Sequence, residues 1–69
     1  MDNNTIYKMM RNYKADCEAK GRKCYGSTYH QWNARLHIDA SAQRFASMEK
    51  QGLIVSYNKV NNIKFYELV

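Results

Sequence analysis

Four residues in this chain have strong chemistry of their own. Cys17, Cys24, His30 and His37 form a C-x6-C-x5-H-x6-H series. Thiolate and imidazole are the usual zinc ligands. A closed zinc site, however, generally holds its paired cysteines about two to four residues apart, so that one turn presents both. The six-residue gap lacks that geometry, and the series reads as structural residues with no metal expected. A Cys17–Cys24 disulfide is open to the chain, but nothing in it points to an oxidising compartment. Ser41 lies near His37 in sequence, yet no third group stands out to orient the imidazole as a base. The three glycines form no phosphate-cradling loop. His30 reads as a partly exposed helix residue. The expectation is no enzyme and no cofactor.

The remaining candidates are side chains that recognise a polyanion. Ser41, Gln43, Arg44 and Ser47 fall in one short segment, with Lys50 close behind. A glutamine amide matches an adenine edge, and an arginine fork matches guanine. Serine hydroxyls suit phosphates or base edges. Lys59 and Lys64 suit phosphates, which position a protein on a duplex without reading it. Ser27 and Thr28 precede a helical segment whose first backbone N–H groups can also meet a phosphate. Eleven basic residues against six acidic give a net charge of +5. That surplus fits a polyanion partner, and it also fits solubility alone.

These side chains need a scaffold, and 69 residues supply one domain, 1–69, with one small core. A catalytic pocket would compete with that core for the same side chains. Apolar residues make up 45% of the chain and proline is absent, so a folded domain is expected rather than disorder. No apolar run approaches the roughly 20 residues needed to span a bilayer. The first five residues are polar, unlike a secretory leader. The expected location is the cytoplasm, with no membrane partner.

Periodicity divides the chain into five elements. Ile6, Met9, Met10, Tyr13 and Cys17 make one apolar stripe, which predicts a helix over about 5–20, capped by Asn4 or Thr5 and stopped at Gly21. The stretch from Arg22 to Gly26 is either a very short strand or an extended link. Ser27 and Thr28 then offer caps for a helix over about 28–36, with Tyr29, Trp32 and Leu36 inward. Asp39 is the expected cap of a third helix over about 40–51, burying Ala42, Phe45, Ala46 and Met48 and ending at Gly52. From Leu53 the period becomes two. Strands over about 54–59 and 63–68 flank Asn61-Asn62, residues that tolerate the positive φ of a tight hairpin. Pairing Val60 with Ile63 predicts Tyr57 opposite Tyr66, Val55 opposite Leu68 and Lys59 opposite Lys64, with the aromatic and aliphatic pairs inward. The expected core joins Ile6, Met9, Tyr13, Trp32, Phe45, Met48 and Leu53.

Leu36-His37-Ile38-Asp39 resembles the turn of winged helix-turn-helix regulators, often written Leu-Gly-Ile-Ser. Met48-Glu49-Lys50-Gln51-Gly52-Leu53-Ile54 is similar to the end of their recognition helix, often Leu-Glu-Glu-Lys-Gly-Leu-Ile. The hairpin closing with Phe65-Tyr66-Glu67-Leu68 looks like their wing. The resemblance covers nearly the whole chain. It departs at His37, where the family usually has glycine, and in a stretch between turn and Met48 that is about two residues shorter than the family's usual spacing. It implies an α+β winged helix-turn-helix fold and sequence-specific binding of double-stranded DNA, as a transcriptional regulator of the small prokaryotic or phage type. The third helix would enter the major groove, through Ser41, Gln43, Arg44 and Ser47. Ser27, Thr28, Lys50, Lys59 and Lys64 would contact the backbone. A homodimer or a protein partner is the expected companion for high specificity. Against this stands a plainer reading. Gln43, Arg44 and Lys50 then form a solvated helix face, and Lys59 and Lys64 guard an edge strand. The alternative function is a protein-interaction module of the same fold without DNA binding.

Overall fold

The computed structural model describes residues 2–23 and 26–69, with the side chains of Lys59 and Val60 outside that set. The expectations that involve Cys24 and Tyr25 therefore lie outside the described residues.

Helix α1 covers Asn3–Ala19. It starts two residues before the expected position because Asp2 is the better cap. Its carboxylate accepts from the Thr5 backbone N–H at 2.8 Å. The helix buries Ile6 and Met10, while Met9 and Tyr13 pack against the core half-exposed. Gly21, at φ +73°, turns the chain, and the Arg22 N–H reaches back to the Cys17 carbonyl at 2.8 Å.

Helix α2 covers Tyr29–Leu36 and opens with a reciprocal cap. The Thr28 hydroxyl accepts from the Gln31 N–H, and the Gln31 amide oxygen accepts from the Thr28 N–H. His37 ends it in the left-handed region, at φ 56° and ψ 44°. This is the conformation a glycine would supply there, adopted by histidine.

Helix α3 covers Ala42–Lys50 and is capped by Ser41, not by Asp39. The reason lies in α2. The Asn33 side chain donates to the Ala40 carbonyl at 2.8 Å and accepts from the Ala40 N–H at 3.0 Å. Those two bonds hold Ala40 outside the helix, so the cap moves from Asp39 to Ser41 and the first turn begins two residues later than expected. The buried stripe of α3 is Phe45 and Met48. Ala42 and Ala46, expected inward, are exposed.

Strands β1, Ile54–Val60, and β2, Ile63–Leu68, form an antiparallel hairpin. Asn61 and Asn62 take φ of 50° and 62°, the pair of left-handed residues that a two-residue hairpin turn requires. Val60 does pair with Ile63, as expected. A bulge between Asn58 and Val60 then shifts every later pair by one. Tyr57 lies opposite Phe65 instead of Tyr66, Val55 opposite Glu67 instead of Leu68, and Asn58 opposite Lys64 in place of Lys59. Because strand side chains alternate, one extra residue exchanges the faces of β1. Ile54 is buried, while Val55 and Tyr57 are 46% and 38% exposed.

The second edge of β2 is not empty. Ser27 and Tyr66 exchange backbone bonds of 3.0 and 2.7 Å, a one-residue third strand. The Trp32 indole N–H donates to the same Tyr66 carbonyl at 2.9 Å. The core is Ile6, Met10, Trp32, Leu36, Phe45, Met48, Ile54, Tyr66 and Leu68, drawn from all five elements. Leu53, expected at its centre, packs against it half-buried. Three helices followed by an antiparallel hairpin make an α+β arrangement, consistent with a winged-helix layout.

Candidate nucleic-acid interface

Helix α3 turns Phe45 and Met48 into the core, and this fixes what remains outside. Gln43, Ser47 and Lys50 are spaced i, i+4, i+7 and form one exposed face, with Ala46 among them. Arg44 is exposed on the flank toward α1. The only acid of α3, Glu49, is turned away from this face. It accepts from the Ser56 hydroxyl on β1 at 2.6 Å. The exposed face of α3 therefore carries amide, hydroxyl, methyl and cationic groups and no carboxylate.

The other expected contact residues divide. Ser41 is exposed, but its hydroxyl is engaged as the helix cap, accepting from the Arg44 N–H at 3.2 Å. Ser27 is 1% exposed, with both backbone groups bonded to Tyr66, so its side chain is not at the surface. Thr28 is half-buried, with its hydroxyl and N–H both committed to Gln31. Lys50 is exposed at the end of α3, and Lys64 is exposed on the hairpin near the turn. The side chain of Lys59 lies outside the described residues.

Sequence reasoning missed Asn3. Its side-chain oxygen accepts from Arg44 Nη1 at 3.2 Å, and its Nδ2 donates to Ser47 Oγ at 3.1 Å and to Gln51 Oε1 at 3.0 Å. These partners are more than forty residues away in sequence, and a polar first turn gives no signal of them. Gln51 joins the candidate surface only through this contact.

Other basic groups are held by aromatic rings. Arg35 lies over the faces of Tyr13 and Trp32, at 5.6 and 5.4 Å from the ring centres, and Arg11 lies 5.8 Å from that of Tyr7. The outer face of the hairpin carries an apolar patch beside Glu67. Tyr57 and Phe65 stack with centroids 5.9 Å apart, and Val55 and Ile63 stand on the same face, each nearly half exposed.

Among the described residues no group of three His, Cys, Asp or Glu side chains converges as a metal site. Cys17 is half-buried and carries a free thiol. No helix among them is long and apolar enough to cross a membrane. A cleft of about 220 Å³ lies between Ile6, the turn His37–Ala40 and Arg44, beside the start of α3. No model of a known protein family matches the chain, and neither a curated protein nor a solved structure matches it.

Proposed function

We propose that the chain binds double-stranded DNA sequence-specifically, with α3 in the major groove and the hairpin against the phosphate backbone, and that it acts as a transcriptional regulator without catalytic activity. The observation that carries this reading is the outer face of α3. A duplex repels carboxylates, and here the helix's one acid is bonded to Ser56, leaving Gln43, Ala46, Ser47 and Lys50 outward and Arg44 on the flank. The methyl of Ala46 suits the thymine methyl, a contact that needs no hydrogen bond. Lys64 extends the basic surface onto the hairpin. The excess of five positive charges supplies attraction that is independent of sequence.

The test is a salt-dependent titration of duplex DNA with three proteins. Arg44→Ala should cost about 1–3 kcal/mol on the preferred duplex and relax preference at one base position. Lys64→Ala should weaken all duplexes alike and lower the salt slope by about one unit. The same sequence-independent effect from both substitutions defeats base readout.

A second reading, a protein-interaction module of the same fold, is favoured by one observation. Val55, Tyr57 and Ile63 expose apolar surface together on the outer face of the hairpin. A wild-type salt slope near zero would select this reading over DNA binding.

A further inference from the structure

We infer that Asn3, in the first turn of α1, is a positioning residue for base readout by Arg44, and that Ser47 and Gln51 belong to the cluster it organises. The inference rests on the DNA-binding reading of α3 and deepens it.

A carboxamide has one acceptor oxygen and two N–H donors on neighbouring atoms. Asn3 uses both kinds at once: its oxygen accepts a hydrogen bond from the Arg44 guanidinium, and its nitrogen donates to a hydroxyl and a second amide. Alanine offers neither group, and aspartate offers no donor. Asn3 is itself well held. It directly follows the capping residue Asp2, and Ile6, three residues on, is 2% exposed in the core. From this anchored position Asn3 holds two side chains of α3, Arg44 and Ser47, and that of its C-terminal cap, Gln51.

What is held matters more than how strongly. The three bonds lie at the exposed surface, where hydrogen bonds exchange with water and add little to folding. A guanidinium has five N–H donors in a planar fork. Only Nη1 is engaged by Asn3, which leaves donors of Nη2 and Nε for an acceptor pair such as guanine O6 and N7. A free arginine side chain must be ordered when it docks. One already restrained loses less freedom at that moment. Restraint of this kind favours the duplex that the fixed fork fits, and it does not change attraction to phosphates.

The experiment measures binding of the wild-type chain, Asn3→Ala, Arg44→Ala and the double variant. Each is titrated with a duplex selected from a random pool and with an unselected duplex, at several salt concentrations. Asn3→Ala should lower the ratio of selected to unselected binding by about threefold to tenfold, as a lost restraint on one long side chain would. Its salt slope and melting temperature should stay those of the wild type. In the Arg44→Ala background the same substitution should have little further effect, because the residue it acts through is gone. In the free protein, ¹⁵N relaxation of Arg44 Nε should show faster motion in Asn3→Ala. An equal loss on both duplexes, an undiminished loss in the Arg44→Ala background, or unchanged Arg44 motion overturns the inference. If the wild type selects a sequence and Asn3→Ala keeps the full ratio, only the positioning role fails. If the wild type selects none and Arg44→Ala changes nothing, the DNA reading itself fails.

Discussion

At the scale of single residues, His37 and Asn33 decide where the helices of the candidate interface begin and end. His37 accepts a left-handed backbone that costs a residue with a Cβ about 1–2 kcal/mol. Glycine removes that cost and gives back part of it through a freer unfolded chain. His37→Gly should therefore raise stability by about 0.5–1 kcal/mol, read as a higher midpoint in urea with an unchanged slope. A lower midpoint would mean that the imidazole contributes more than its backbone costs. The turn was legible in the sequence from Leu36-His37-Ile38-Asp39. The cap was not, because Asp39 and Ser41 are both good capping residues and the choice is made by Asn33 bonding Ala40 twice. For the same reason Ser41 serves its own helix, while Asn3, invisible to local pattern, reaches Arg44 and Ser47 of α3 and Gln51 at its end.

At the scale of elements, the hairpin shows where periodicity is a reliable guide and where it fails. Alternation marked both strands, and Asn61-Asn62 marked the turn. Alternation alone could not say which face of β1 is buried, since Ile54 and Val55 are equally apolar. One bulged residue settles it, placing Ile54 opposite Leu68 and Tyr57 opposite Phe65. Deletions at two points should then behave differently. Removing Lys59 takes out the bulge and keeps Asn58 opposite Lys64, so cross-strand contacts between Tyr57 and Phe65 should persist. Removing Ser56 turns Ile54 out of the core, which should cost about 1.5–3 kcal/mol for the lost burial of that side chain. NOE patterns across the hairpin and a urea midpoint for each deletion check both. Equal damage from the two would discard the bulge as the source of the register.

At the scale of the whole molecule, a body of 30 × 29 × 21 Å is organised around one core. Phe45 lies at 0% exposure within it, touching the rings of Tyr29 and Tyr66, with centroids at 6.3 and 5.2 Å. Phe45→Ala should cost about 3–5 kcal/mol. Small domains have few kcal/mol in reserve, so cooperative unfolding should be lost or move below room temperature. A variant that melts like the wild type would remove Phe45 from the core. The order of helices and hairpin was legible at this scale from periodicity and capping residues. The make-up of the interface was only partly legible. Charge and residue type indicated α3, but the commitment of Glu49 to Ser56 depends on how β1 folds back on α3, and the burial of Ser27 depends on its pairing with Tyr66 far along the chain.

The carbonyl of Tyr66 accepts from both the Ser27 amide and the Trp32 indole, so strand β2 closes bonds made by segments that precede it by more than thirty residues. During synthesis, α1, α2 and α3 emerge from the ribosome first, with no partner for the Trp32 N–H and no Tyr66 or Leu68 to cover Phe45 and Ile54. The nascent helices must wait, with apolar surface in water, until β2 has followed them. Stable packing of the three helices should therefore be timed by the emergence of β2 rather than by their own.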